Sequence, residues 1–360
     1  MAIETSTPAN PLCPIDASML NGLSDPVFLA DQGLSIVDCN QAARDLFGDT
    51  VVGTKVTESL CTAEVMETIK VSLSGRPAPQ QEIFLPPPVA RSYQCSVWRL
   101  PDLNSSGPAW VMVVFHDVTA MKKADQMRAD FVSNVSHELR SPLSSLLGFI
   151  ETLRGPARDD EKALQRFLGI MESEAQRMTR LINDLLTLSK VESDEHIRPK
   201  NTVDLKSIVA EVVTVTSIQA KQKGMEISVK QPPVLPLVHG NRDELTQVFQ
   251  NLIANAISYG YEKTVVDVVL TEDSTVTSTE PGGVSVAVVN RGDGIASDEI
   301  PRLTERFYRV DKGRSRSMGG TGLGLAIVKH IVARHRGHLE IKSEPMEATT
   351  FEVILPGAKT

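Results

Sequence analysis

Non-polar residues at Val132, Val135, Leu139, Pro142, Leu146, Phe149 and Leu153 are spaced alternately by three and four positions. That spacing predicts a heptad seam along one face of a helix. Gly155-Pro156 interrupts it, because proline cannot continue a helix. A second seam follows at Leu164, Leu168, Met171, Ala175, Met178, Ile182 and Leu185. Residues from Ala120 to about Glu192 therefore read as two long helices folded into an antiparallel hairpin. One hairpin leaves apolar surface on both arms. Pairing with a second copy into a four-helix bundle covers it, and packing on another domain of the same chain is the alternative.

The patterning changes on either side. From Leu20 to Thr119 it predicts mixed α and β structure: a hairpin of Pro26–Ala30 and Leu34–Asp38, a helix from Asn40 to Phe47 with Asn40 as N-cap, and strands at Gln81–Leu85, Tyr93–Leu100 and Ala109–Val118. After a linker at Ile197–Asn201 come helices at Leu205–Lys223, Arg242–Tyr259 and Leu323–Arg334. Strands are expected at Met225–Val229, Leu237–His239, Val265–Leu270, Val284–Asn290, Leu339–Lys342 and Phe351–Leu355. The unbroken apolar run of Val284–Asn290 predicts a strand buried on both faces. The domains expected are a flexible tail at 1–15, a mixed α/β domain at 16–119, the hairpin at 120–195 and an α/β domain at 202–358.

Composition narrows the class. A chain of 360 residues with 23% charged residues and a net charge of −8 gives no support to nucleic-acid binding as its main role. Its four cysteines form no C-x-x-C pair, which fits a reducing cytoplasm. No apolar run reaches the length of a membrane span, and the N-terminus lacks a signal-peptide layout, so a cytoplasmic location is expected.

Candidate chemistry begins with His137. With Val132 and Val135 at positions a and d, His137 falls at f, facing away from the seam, with an acid, Glu138, beside it. Four further signals lie downstream in order. Asn251 and Asn255, four apart on one helix, present carboxamides on one face, suited to a hard cation such as Mg²⁺. Asn290-Arg291-Gly292-Asp293-Gly294 follows a strand, where the glycines admit a close turn beside a flat ligand. Glu305-Arg306-Phe307-Tyr308-Arg309-Val310-Asp311 precedes a basic stretch with Lys312, Arg314 and Arg316, which reads as a lid. Gly319-Gly320-Thr321-Gly322-Leu323-Gly324-Leu325 opens a helix, whose backbone N–H groups can hold phosphate. His330, His335 and His338, near the last helix, read as a solvated basic face rather than a metal site.

These residues resemble the sensor histidine kinases of two-component systems. His137-Glu138-Leu139-Arg140-Ser141-Pro142-Leu143 is similar to their H box, and the downstream signals to their N, G1, F and G2 boxes, over about residues 120–357. The run from Arg302 to Asp311 and the G2 stretch look most like the phosphate-regulon sensors of the PhoR type. Asp38-Cys39-Asn40-Gln41-Ala42-Ala43 and His116-Asp117-Val118-Thr119 are similar to the first helix entry and terminal D-x-T of a PAS sensor. The resemblance implies a multidomain α+β protein. It would comprise a PAS-like sensor whose cavity could hold haem, flavin or a small ligand, with an empty one preferred because no reactive-cysteine motif lies near Cys39 or Cys61, a phosphotransfer hairpin forming a four-helix bundle in a homodimer, and an α/β-sandwich ATP-binding domain of the histidine kinase, gyrase and chaperone type.

The implied chemistry follows from the family. Mg-ATP would bind with Asn255 as metal ligand, Asn251 nearby and Tyr259 by the adenine. Gly292, Gly294, Phe307, Arg309, Arg314, Arg316, Gly320, Thr321, Gly322, Leu323 and Gly324 would surround the sugar and phosphates. His137 would attack the γ-phosphorus while Glu138 takes a ring proton. The phosphoryl group would pass to an aspartate of a response regulator. Ser141, where the family has threonine or asparagine, could orient a hydrolytic water for phosphatase action. A membrane-bound sensor or transporter is a further partner class for such a chain, and nucleic acid is not.

Two positions depart from the family. Asn290 stands where aspartate accepts the adenine amino group, so the hydrogen bond loses charge assistance, worth about 1–2 kcal/mol. Ser258 stands where a basic residue is common. They support the alternative of a degenerate kinase with weak ATP binding that acts as phosphatase or dimeric scaffold. A chaperone- or gyrase-type ATPase is disfavoured by the H-box hairpin.

Overall fold

The computed structural model describes residues 17–56, 63–85, 89–100, 110–158, 160–273, 282–311 and 320–358. Its two compact units are Met1–Asp130 and Phe131–Thr360.

The first unit contains helices α1 (Ala17–Leu20), α2 (Gln41–Phe47) and α3 (Ala63–Leu73). Its antiparallel sheet has the order β2-β1-β5-β4-β3, with β1 Val27–Ala30, β2 Ile36–Cys39, β3 Gln81–Leu85, β4 Arg91–Leu100 and β5 Trp110–Asp117. Asn40 caps α2 as its sequence predicts, with Oδ1 accepting from the backbone of Val27 and Ala43 at 3.0 Å. Its amide donates to the carbonyls of Leu20, Leu23 and Asp25, so one buried side chain closes the hairpin onto the helix. The interior is filled by Phe28, Phe47, Tyr93 and Phe115, with edge-on ring contacts at 5.3–6.2 Å. At the exit of β5, Asp117 Oδ1 accepts the N–H of Thr119 at 2.9 Å, where the long helix α4 (Thr119–Arg154) begins. The hydrogen bonds from Thr119 hold the Asp117 carboxyl below its ordinary range.

In the second unit, the rest of α4 and helix α5 (Glu161–Ser193) form the predicted hairpin, with Phe149 and Phe167 stacked at 5.1 Å. Asp160 caps α5 by accepting from Ala163. The seam is only partly covered by the hairpin itself. Leu139, Leu146, Phe149, Met171, Met178 and Leu185 are half-buried. Val132, Leu143, Leu147, Ile150, Leu168, Ile182 and Leu186 are exposed. An apolar face therefore remains on both arms.

The α/β part stacks α6 (Leu205–Gln222), α7 (Arg242–Tyr259) and α8 (Gly324–Arg334) on a five-stranded sheet of order β11-β12-β10-β9-β7. Its strands are β7 (Glu226–Lys230), β9 (Val265–Asp273), β10 (Gly283–Arg291), β11 (His338–Ser343) and β12 (Ala348–Leu355). Only β7 and β9 run parallel among the described pairs. The central strand β10 is mostly buried on both faces, as its apolar run predicts. The Leu237–His239 segment does not join this sheet. Its Val238–His239 strand, β8, forms a separate two-residue ladder with β6 (Thr202–Val203), which directly follows the expected linker.

The reading of His330, His335 and His338 as one solvated face is corrected. His338 is exposed, but His330 lies between Glu195 at 2.9 Å and Glu192 at 3.4 Å. His335 is fully buried. Its Nδ1 meets the Ile331 carbonyl at 2.7 Å and its Nε2 the Asn241 backbone N–H at 3.0 Å. Only the neutral ring with the proton on Nδ1 satisfies both contacts. Tertiary packing onto the start of α7 takes this residue out of water. Beside it, Arg334 pairs with buried Glu244, donates to the Ile197 carbonyl at 3.0 Å and lies 3.9 Å from Asp194. This network joins α7 and α8 to the end of the hairpin.

Candidate active site

His137 lies on the exposed side of α4, and Ser141 is exposed one turn later. Pro142, inside the helix, has no N–H for the Glu138 carbonyl, so the helix ladder is broken one turn past His137. Glu138 turns the other way. Its carboxylate accepts from Arg177 Nη2 at 2.5 Å and lies 3.5 Å from Arg309 Nη2. Both guanidinium side chains are largely buried, so the charge on Glu138 is compensated locally.

The downstream signals converge around α7, β10 and the start of α8. Gly292 bridges to Gly260 at the end of α7. A Cβ at Gly292 would fall 2.7 Å from the Tyr259 carbonyl oxygen, which explains the glycine. Gly294 adopts φ +75°, and a Cβ there would lie 2.6 Å from Pro345 Cα, so both backbone shape and space require glycine. Phe307 donates its N–H to the Gly322 carbonyl at 2.9 Å, joining the third signal to the fourth. Asn251 donates to the Gly324 carbonyl at 3.3 Å and so ties the first signal to the fourth. Asn255 is half-buried one turn later and Tyr259 is exposed at the helix end. Asn290 is buried at the end of β10. Gly320, Thr321 and Gly322 are half-buried ahead of α8, and Leu323 is buried at its N-cap with no side-chain cap. The first N–H groups of α8 therefore include donors suited to an anion. Arg314 and Arg316, with most of the expected lid, lie outside the described residues.

The hairpin contacts these same groups. The Thr321 hydroxyl donates to Asp184 at 2.7 Å, and burial raises the Asp184 carboxyl above its ordinary range against that hydrogen bond and Arg180. Arg306 pairs with Glu192 at 2.5 Å and lies 5.2 Å over the Phe131 ring, which packs on Phe307. Thr321 and Arg309 thus face hairpin carboxylates, and a triphosphate would compete with those carboxylates for them.

The residue patterning alone did not single out Arg177 or Asp184. The signal that finds them is a second stripe on α5, Arg177, Leu181, Asp184, Leu188 and Val191, again in steps of four and three. Leu181, Leu188 and Val191 enter the same core as α7 and α8. Two charged members hide this stripe from a search for apolar periodicity.

Three family matches follow the same order along the chain: a PAS domain at residues 17–70, a His Kinase A (phospho-acceptor) domain at 127–194, and the histidine kinase-, DNA gyrase B-, and HSP90-like ATPase at 240–359. The phosphate regulon sensor protein PhoR of Pseudomonas aeruginosa is 38% identical over 240 residues, covering 67% of this chain and 52% of that protein. The chain belongs to the two-component sensor histidine kinases. Among other members of the family, the sensor-like histidine kinase SenX3 of Mycolicibacterium smegmatis is 36% identical over 255 residues, covering 71% of this chain and 64% of that one. Against the first of these relatives the chain spans about half the length. A solved structure of the Acinetobacter baumannii histidine kinase AdeS matches 62% of this chain and 98% of its own, at 24% identity and a TM-score of 0.47. In this histidine-kinase sequence, the phospho-acceptor match contains His137 and Asp184, and the ATPase match contains all four downstream signals.

Proposed function

We propose that this chain is a protein-histidine kinase. It transfers the γ-phosphoryl group of Mg-ATP to His137 and then to an aspartate on a response-regulator receiver domain, as a homodimer working in the cytoplasm. The observation that carries the reading is an exposed His137 in the same unit as a glycine-lined, uncapped start of α8. Asn255 offers one carboxamide oxygen to Mg²⁺. Mg²⁺ takes few protein ligands, so triphosphate and water oxygens would complete its shell. Glu138, beside His137 in the chain, is the candidate acceptor of the ring proton; Arg177 holds its carboxylate away from His137 here, so the transfer requires that pair to open. Positioning and charge compensation supply most of the remaining catalysis. The exposed apolar stripes on α4 and α5 support pairing of two hairpins, and the 38% identity to a phosphate regulon sensor supports phosphate-starvation signalling. No helix among the described residues is long and apolar enough to cross a membrane. Ser141 gives a hydroxyl one turn from His137 for hydrolysis of the regulator phosphate.

The test is incubation with γ-labelled ATP and Mg²⁺. Acid-labile, alkali-stable label on the wild type and none on His137→Ala is the expected result. Label that persists on His137→Ala contradicts the assignment. An unlabelled wild type that gains label on Asn290→Asp would favour the degenerate reading.

A further inference from the structure

His137 and Glu138 are neighbours in the chain but not on the helix surface. Successive residues of a helix are turned by about 100° from one another, so His137 meets solvent while Glu138 faces α5. There one carboxylate oxygen, Oε2, accepts from Arg177 Nη2 at 2.5 Å and lies 3.5 Å from Arg309 Nη2. The same atom is held from two elements. Arg177 comes from the other arm of the hairpin, and Arg309 from the loop ahead of α8. Pro142, Met178, Leu181 and Thr321 line the cleft around the pair. Arg177 is 8% exposed, and a mostly apolar surround strengthens its attraction for the carboxylate.

The hold is nevertheless single-pointed. Arg177 Nη1 lies 3.7 Å from Glu174, one turn earlier on the same helix. Arg177 Nε is buried with no hydrogen-bond partner among the described residues. A forked pair would set two parallel bonds on Glu138, whereas this one sets a single bond. Such a contact keeps the carboxylate turned from His137 at rest and can still open.

We infer that Arg177 is a restraint on the reaction: it sets how seldom Glu138 reaches the His137 ring, and its removal speeds phosphoryl transfer. This rests on the kinase reading proposed above, with Glu138 as proton acceptor. In that reading the nucleotide phosphates draw Arg309 away from Glu138, while Arg177, which belongs to the hairpin, stays. Each transfer then waits for the Arg177 pair to open. In the open form the bond from the γ-phosphorus to its bridging oxygen breaks and a nitrogen–phosphorus bond to His137 forms. The ring proton passes to Glu138, and ADP leaves. The rate follows the fraction of molecules whose Glu138 is free, and a hydrogen bond between charged groups lowers that fraction by about tenfold or more. Arg177 is thus a positioning residue that acts through Glu138.

Single-turnover labelling of the full chain with Mg-ATP separates this role from a structural one, because lost packing slows a reaction and a lost restraint speeds it. Saturating ATP removes any change in affinity from the comparison. Arg177→Met is expected to raise the rate constant for label on His137 by about tenfold. In a Glu138→Gln background the same substitution should bring no acceleration, since the gain passes through that carboxylate. Arg177→Gln, expected to accelerate in the same sense, decides if the methionine variant does not fold. A folded, ATP-bound variant no faster than the wild type overturns the inference, as does an acceleration that persists without Glu138. Either result on a labelled wild type leaves the kinase reading standing. A wild type that binds ATP and takes no label removes both.

Discussion

Replacing His335 by glutamine tests whether the start of α7, the helix carrying Asn251 and Asn255, is pinned by a neutral buried imidazole. Burial lowers the His335 pKa from its ordinary 6.5, and Arg334 and Arg198 push the same way, against the hydrogen bond to Ile331. The folded state therefore resists a proton that the unfolded chain accepts. The stabilisation is fully present above pH 6.5 and is lost as pH falls from there towards the folded value. One proton taken up by the unfolded state alone costs about 1.4 kcal/mol per pH unit, so the wild type should lose up to about 1.4 kcal/mol by pH 5.5 from this residue. Glu244 acts in the opposite sense, since burial raises its carboxyl above 4.5, and it is present in both proteins. Glutamine can accept from the Asn241 N–H but does not titrate, and loss of the contact to Ile331 costs about 1 kcal/mol near neutrality. Amide hydrogen exchange in β10 reads the opening free energy of this unit at pH 7.5, 6.5 and 5.5. The wild-type advantage should shrink as pH falls. Parallel pH dependences for the two proteins would refute the argument.

Three further perturbations address the site and the hairpin. Gly292→Ala drives a methyl to 2.7 Å from the Tyr259 carbonyl, so it should cost about 1–3 kcal/mol of stability and weaken nucleotide binding, read by thermal unfolding with and without Mg-ATP. Arg177→Met uncovers a partly buried Glu138 carboxylate and should destabilise by about 1–3 kcal/mol, while adding Glu138→Gln recovers part of that loss; additive single and double variants in urea unfolding would show that the pair is not coupled. Leu147→Glu with Ile182→Glu places charge on the exposed apolar stripes and should shift sedimentation from dimer to monomer, whereas an unchanged dimer would locate the interface elsewhere.

Much of this architecture is legible in the residue pattern. Periodicity alone places the hairpin arms at their observed spans to within a few residues, and the helix Arg242–Tyr259 begins where Asn241 caps it and stops at Gly260. Helix Ala63–Leu73 escapes the pattern because its β-branched Val65, Thr68, Ile69 and Val71 blur the choice between helix and strand. What local pattern does not carry is the set of contacts made across long sequence separations. Asn251 reads as one of two ligand-facing carboxamides, yet its amide holds the Gly324 loop. Glu138 reads as a base beside His137, yet its position is set by Arg177 from the other arm. His335 ends a helix and reads as solvated, yet Gly240 and Asn241 close over it. Asn290 is legible as a departure from its family, but its burial opposite Thr349 is visible only in the folded sheet.

Under the proposed function, His137 receives the phosphoryl group. Mass spectrometry of peptides prepared at neutral pH after reaction with Mg-ATP locates the modified residue among the seven histidines of the chain. Phosphate is expected on His137, removed by His137→Ala and greatly reduced by Asn255→Ala. Phosphate on any other residue, or an unmodified wild type under conditions where it binds ATP, would contradict it.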